Sequence, residues 1–308
     1  MSLVAMLVAL GIEAVLGWPA ALYRRCGHPV TWLGALIAAL DRRWNCGRRR
    51  RLKGAAAAGL VILLAGAVGA LVQAALPAGV WGAVLAGVIA WPLIAARSLH
   101  DHVAAVARPL ASGDLEGARA AVAMIVGRDP AALDEAGVAR AALESLAENA
   151  SDGVIAPLFW GAVAGLPGIA AYKAANTLDS MIGHRTARHE EFGWAAARID
   201  DVANLIPARL TALLIALAGG RFAAAWRVMR RDARHHRSPN GGWPEAAMAG
   251  ALGVRLSGPR IYADRVAAEP WLNAGAADPG ASELRRGLAV YRGAVALAAV
   301  VLAVVAVV

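Results

Sequence analysis

Between Glu144 and Arg209 the sequence crowds carboxylates, amides, a lysine, a histidine and arginines against long apolar runs. It reads ESLAENASDGVIAPLFW, then YKAANTLDSMIGHR, then ARIDDVANLIPARL. A polar group placed in lipid without a partner costs several kcal/mol, roughly 2–7. A chain that keeps so many of them there is expected to do chemistry with them. Glu144 and Glu148 stand four residues apart and share one helical face, with no opposite charge four residues on. A solvated face and a magnesium or substrate site both remain open for them. In a helical YKAANTLDSMIGH, Lys173, Asn176 and Ser180 fall on one face and Asp179 borders it. Gly183 then suits a C-terminal cap, with His184 and Arg185 just beyond.

Arg198, Asp201 and Asn204 recur every three residues, with Asp200 adjacent. Neighbouring aspartates close to a membrane are costly unless a cation neutralises them, which points to Mg²⁺. An internal salt-bridge network with Arg198, Arg209 or Lys173 accounts for them equally well. A second dense cluster holds Arg231, Asp232, His235, His236, Arg237, Ser238 and Asn240. Arginine and histidine beside Ser-Pro-Asn-Gly could hold phosphate, although solvation of a loop is the plainer account. The sequence contains no G-x-x-x-x-G-K-[ST], H-E-x-x-H or G-x-S-x-G, and no G-x-G-x-x-G with its strand.

These groups must be positioned by membrane helices. The 308 residues are 59% hydrophobic, with a mean hydropathy of +0.53, which fits an integral membrane protein rather than soluble domains. The expected architecture is all-α: a polytopic helical bundle with cytoplasmic helical loops and some broken or re-entrant segments, one membrane-embedded domain over residues 1–308. Apolar segments lie at about 3–17, 55–76, 80–96, 153–171, 202–219 and 287–308. Polar regions at about 18–54, 97–152 and 220–286 are assigned to the cytoplasm. Residues 24–53 carry nine Lys/Arg against one acid, Asp41. Lying directly between two apolar segments, they follow the positive-inside rule more simply than they make a nucleic-acid arm. The site is therefore expected at the cytoplasmic face of the inner membrane. Cys26 and Cys46 lie in this basic loop without metal-ligand spacing and are read as inert thiols. Segment 3–17 has neither a basic n-region nor an A-x-A site, and is read as a first span or half-span.

Along the chain, Gly17-Trp18-Pro19 and Gly27-His28-Pro29 are turn signals. Thr31–Leu40 reads as a short amphipathic helix, and 55–76 with 80–96 as a helical hairpin turned at Pro77 and Gly79. Asp114 is expected to cap a helix running to about Val126, and Asp129-Pro130 to start one reaching Glu148. Pro157 and Pro167 interrupt 153–171, and Pro207 interrupts 202–219, where its ring opposes the carbonyl of Ala203. Freed backbone groups survive in a membrane only where protein or water meets them, so broken segments point to a site. If the regions assigned to the cytoplasm are right, 153–171 and 202–219 must both cross or both dip and return. The prolines slightly favour the second. In 220–237, apolar Phe222, Trp226, Met229 and Ala233 share one face, which suggests a basic amphipathic helix on an anionic leaflet. Residues 238–286 read as loop, with an apolar stretch at 246–254 too short to span.

The blocks GWPAALYRRCGHPVTWLGALI, ARSLHDHV, IVGRDP, ESLAENASDGVIAPLFW, YKAANTLDSMIGHRT, FGWAAARIDDVANLIPARLTALL, RDARHHRSPNGGWPEAAMAGALGVRLSGP and PWLN run in order over residues 13–292. They resemble the CobD/CbiB family of cobalamin biosynthesis, the adenosylcobinamide-phosphate synthases. The resemblance implies a membrane enzyme that joins a propionate carboxyl of adenosylcobyric acid to aminopropanol or its O-phosphate, using ATP and Mg²⁺. Read this way, Lys173, Asp179, His184 and Asp201 are candidate catalytic residues. Glu144, Glu148, Asp152 and Asp200 are candidate metal ligands. Asn149, Asn176, Arg185, Asn204, Arg209, Arg231, His236, Arg237, Ser238 and Asn240 are candidate substrate or phosphate contacts. His189, Gly241 and Asn273 depart from the family's usual Tyr, Ala and Gly. The expected partners are the lipid bilayer, the corrinoid and the amine, with a homo-oligomer or a complex with other cobalamin-pathway enzymes, and no nucleic acid. A transporter or binding protein for a corrinoid or other anionic solute is the competing reading, since broken helices and intramembrane charges are equally its marks.

Overall fold

In the computed structural model the chain is helical almost throughout; the structure describes residues 2–127, 129–262, 265–267 and 269–307, without the side chains of 260–262 and 265–267. It divides into two compact units. The first comprises Met1–Ala95, Ala156–Asn204 and Val301–Val308; the second comprises Ala96–Ile155 and Leu205–Val300. Among the described residues, four helical stretches are long and apolar enough to cross a membrane: Arg50–Ala75, Val80–Ala111, Glu135–Gly183 and Ala281–Val307. Ser2–Leu16 passes the same test only when joined to Ala20–Trp44 across a 109° bend, and Trp194–Ala203 only when joined to Leu205–Ala218.

The first unit contains α1 (Ser2–Leu16), α2 (Ala20–Cys26), α3 (Pro29–Trp44), α4 (Arg50–Ala75), α5 (Val80–Ala90), α9 (Ala156–Leu178) and α10 (Trp194–Ala203). The turn signals hold: Gly17 and Gly27 take left-handed φ of 58° and 72°. Helix α3 is longer than the expected Thr31–Leu40. His28 caps it through Nδ1, which accepts the Val30 N–H at 3.2 Å, and Pro29 fills its first turn. The hairpin of α4 and α5 turns where Pro77 and Gly79 place it. Helices α4 and α9 approach through small residues, as lipid-embedded helices do where apolar burial gives no drive. A Cβ on Gly69 would lie 2.7 Å from the Leu166 carbonyl oxygen and 2.8 Å from Pro167 Cα. Ile37, Val61, Leu178, Ile182 and Phe192 fill the core beside them.

The interruption that Pro167 predicts is realised at Gly165, whose φ of 65° and ψ of −150° leave the helix. The break frees the Leu166 N–H, and Gln73 of α4 reaches across to accept it through Oε1 at 2.8 Å. The interruption from Pro207 falls at Asn204. The Ala203 carbonyl that proline strips of its helical partner instead accepts the Trp160 indole N–H at 3.1 Å.

The second unit contains α6 (Ala96–Ala111), α7 (Leu115–Val122), α8 (Glu135–Asn149), α11 (Leu205–Ala218), α12 (Phe222–Asp232), α13 (Gly242–Leu252) and most of α14 (Ala281–Val307). Asp114 caps α7 by accepting the Gly117 N–H at 2.8 Å, as expected, although the helix stops at Val122. Asp129 does not start α8. It closes a turn on the Ala131 N–H, and Asp134 caps α8 by accepting the Gly137 N–H at 2.7 Å. The stretch 246–254, expected in a loop, lies largely in α13, which is buried nearly all round. Eleven residues too few to span lipid are enough for a core helix. Short antiparallel ladders, Leu256–Ser257 with Trp271–Leu272 and Arg260–Tyr262 with Arg265–Ala267, complete the unit.

Replacing Gln73 by Met keeps the side-chain length and removes the amide acceptor for a buried N–H. The loss should be about 1–3 kcal/mol, read as a lowered midpoint for thermal unfolding in detergent. An unchanged midpoint would show that the bond to Leu166 contributes nothing.

Candidate active site

In the first unit the polar residues of YKAAN and RIDDVAN converge. Asp200 of α10 is buried, 8% exposed. Its Oδ2 accepts the Asn204 Nδ2–H at 3.0 Å, and its Oδ1 lies 3.5 Å from Asn176 Nδ2 of α9. The Tyr172 hydroxyl donates to Asn204 Oδ1 at 2.9 Å, which fixes the Asn204 amide with its N–H₂ facing the aspartate. Tyr172 and Asn176 sit four apart on α9, so one helical face supplies both supports. Asp179 and Asp201 bring like charge towards Asp200.

The salt-bridge network weighed from the sequence includes Arg198 with Asp201, Nη1 lying 3.1 Å from Oδ2. Among the described residues no cation of the protein pairs with Asp200. A buried carboxylate supported by neutral amides alone is an unfavourable arrangement, and it suits a site that receives a cation from outside.

Just before this, the chain leaves α-helical geometry. Asp179–Gly183 forms a π-helical turn, and so does Ala150–Ile155 in the second unit, which carries Asp152. Such turns are rare and concentrate at functional sites. Gly183 is not the left-handed cap expected. The helix ends at His184 in extended backbone, and a Cβ on Gly183 would collide with the Asp179 carboxylate folded over it. His184 and Arg185 follow on an exposed segment. That segment is tied down at Arg188, whose Nη2 lies 2.6 Å from Asp41 Oδ2, with His189 Nε2 3.4 Å from Asp41 Oδ1.

In the second unit α8 presents Glu144, Glu148 and Asn149. Glu144 is buried and accepts the Ser257 N–H at 2.7 Å, holding a residue whose φ is +60°. Asn149 donates to the Ser145 carbonyl at 2.9 Å. Glu148 lies beside the loop before α13, where a Cβ on Gly241 would sit 3.4 Å from its Oε1. Within that loop the Ser238 N–H donates to His236 Nδ1 at 3.1 Å, so a neutral His236 carries its proton on Nε2. That nitrogen lies 3.5 Å from Glu245 Oε1, and both side chains are buried. Ser238 Oγ accepts the Asn240 and Gly241 N–H groups at 3.2 and 3.1 Å.

Arg209 of α11 donates to Asn240 Oδ1 at 2.6 Å and to the Pro239 carbonyl at 3.1 Å, with its guanidinium 4.8 Å above the Trp243 ring. It braces the loop. Arg231 bonds Asp232 through two nitrogens at 2.6 and 2.8 Å, and Arg237 lies 3.6 Å from Glu269. Burial alone would push the Asp232 carboxyl up. The Arg231 guanidinium and the Asn273 N–H, at 2.7 Å, outweigh it and hold the group below its ordinary value. Asn273 has φ of +59°, the left-handed region that glycine enters freely and asparagine tolerates.

Sequence reasoning missed Tyr172, Gln73, Trp160 and Glu245. The i,i+4 spacing of Tyr172 and Asn176 could have exposed the first. Gln73 and Trp160 act on groups 93 and 43 residues along the chain, and Glu245 meets His236 across the turn before α13. Among the described residues no set of three or more His, Cys, Asp or Glu side chains gathers as a metal cage. One or two carboxylates shared with phosphate oxygens is, however, the usual way Mg²⁺ is held, and Asp200 with its neighbours fits that donor chemistry.

The chain matches the family model described as CobD/Cbib protein over residues 6–291. It is 67% identical over 303 residues to the cobalamin biosynthesis protein CobD of Rhodobacter capsulatus, covering 98% of this chain and 96% of that one. It is 49% identical over 307 residues to the protein of the same name from Sinorhizobium fredii, covering 96% and 94%. The Rhizobium meliloti protein is also 49% identical, over 302 residues. No solved structure matches it.

The Asp232 cluster sets a pH dependence. A carboxyl depressed in the folded state stabilises above its unfolded value, about 4, and that contribution is lost as pH falls through the folded value. Asp232→Asn should cost about 1 kcal/mol at pH 7, and the gap to the unmodified protein should close as the pH drops below about 4. Thermal unfolding of both proteins across that range checks it; a gap independent of pH contradicts the assignment.

Proposed function

The chain belongs to the CobD/CbiB family, and from that premise we propose that it is an adenosylcobinamide-phosphate synthase of cobalamin biosynthesis. The reaction is amide formation between a propionate carboxyl of adenosylcobyric acid and the amine of aminopropanol or its O-phosphate, at the cytoplasmic face of the inner membrane. The observation that carries the chemistry is Asp200, a buried carboxylate held by Asn176 and Asn204 with no protein cation paired to it among the described residues. Both cations the reaction brings, Mg²⁺ and the substrate ammonium, would relieve that charge.

A carboxylate is a poor electrophile, so the propionate needs activation before the amine can attack. ATP supplies the phosphoryl group: a carboxylate oxygen takes the γ-phosphoryl, ADP departs, and the amine then displaces phosphate from the acyl carbon. Mg²⁺ bound with the nucleotide would neutralise phosphate charge, with Asp200 and the nearby Asp179 and Asp201 as its carboxylates. The remaining roles belong to residues of this chain. Lys173, and Arg185 beyond the π-helical turn, would attract phosphate. Tyr172 holds Asn204, and Asn204 holds Asp200, so the carboxylate keeps one orientation. His184 or an aspartate takes the proton that the amine loses as the amide forms.

Purified protein given adenosylcobyric acid, aminopropanol or its phosphate, ATP and Mg²⁺ should form the amide with matched release of ADP. Folded protein that forms no product and consumes no ATP contradicts the reading. Asp200→Asn should lower the rate about a hundredfold or more, and its thermal midpoint should stay level or rise, because an uncompensated buried charge is removed. A variant that loses stability while keeping its rate would make Asp200 a structural residue.

A further inference from the structure

Helix α12 carries groups that the chemistry above does not use. Its inner face, Ala225, Val228, Met229 and Asp232, is buried. Gly250 of α13 packs against it so closely that a Cβ there would meet Ala225 Cα at 2.5 Å. The stripe expected to face lipid is therefore divided: Met229 and Ala233 belong to the protein core, whereas Phe222 and Trp226 point outward, 41% and 44% exposed. Their rings stack with centroids 5.9 Å apart and planes 16° from parallel.

On the same outward face stand Arg227 and Arg230, and Arg234 follows in the short turn Ala233–His235 just beyond the helix; all three are exposed, and none has a carboxylate partner among the described residues. Two large stacked aromatic rings are exposed beside three cations that have no acidic side chain to meet them among the described residues. A lipid headgroup layer offers phosphates to the cations and an apolar boundary to the rings at the same depth. Leu210, Leu213 and Leu217 of α11 are exposed, and that helix ends at the Gly219–Gly220 turn, where Gly220 has φ of 66°, leading directly into Phe222.

We propose that this outward face of α12 lies in the headgroup layer of an anionic leaflet. Phe222 and Trp226 reach the acyl boundary, and Arg227, Arg230 and Arg234 sit on lipid phosphates. The inference concerns the second unit alone and is independent of the reaction assigned above.

The test is nitroxide labelling of the full-length protein in nanodiscs. Cys26 and Cys46 are both exposed and are first replaced by Ser. Ala223→Cys then places a single label on the outward face and leaves both aromatics in position. In discs containing phosphatidylglycerol the label should collide with oxygen in preference to a water-soluble nickel chelate. In phosphatidylcholine discs, and in Arg227→Gln/Arg230→Gln/Arg234→Gln protein in either lipid, that preference should be lost. A label equally open to the nickel chelate in both lipids overturns the proposal. So does protection that is insensitive to lipid charge or that depends on two copies per disc, which would mean a protein contact covers the face.

Discussion

A polar group inside an apolar helix must be met by the protein, and this constraint shapes the first unit. The break at Gly165 frees a backbone N–H, and Gln73 of α4 accepts it. Pro207 strips Ala203 of its helical partner, and the Trp160 indole supplies one. Each break is thereby pinned to a neighbouring helix, and the segments cannot slide without exposing a bare peptide group to an apolar environment. The glycines of α4 follow from the same demand, because side chains as short as glutamine reach a broken helix only when the backbones are close.

Against this background Asp200 stands out. The peptide groups freed at the two breaks are closed by Gln73 and Trp160, but Asp200 is met by amides whose dipoles only partly compensate a full charge. Tyr172 and Asn204 hold it in one orientation at the cost of leaving it uncompensated. Evolution keeps such arrangements where a ligand completes them.

Much of this was legible in the sequence because it is local. Apolar length fixed the helical hairpin, Asp114 marked the start of α7, and paired glycine turns marked the bends around α2. What escaped has long-range causes. Glu144 left a solvated face and a magnesium or substrate site equally open, and neither reading foresaw its bond to a backbone N–H 113 residues away. Gln73 carries no sign that it caps a break 93 residues on. Asp129-Pro130 has the right residue types for a helix start, but Asp134 wins the N-terminus of α8 because its carboxylate reaches the Gly137 N–H in the folded chain. The outward turn of Phe222 and Trp226 could not be read from periodicity, since both faces of α12 carry apolar residues and only packing against α13 decides which is buried.

In the proposed reaction the propionate carboxylate is activated by phosphoryl transfer beside the acidic cluster around Asp200. Adenosylcobyric acid labelled with ¹⁸O in that carboxyl tests it directly. Mass analysis of the products should find one labelled oxygen in the released inorganic phosphate for each amide formed. Amide formation that leaves the phosphate unlabelled would contradict it.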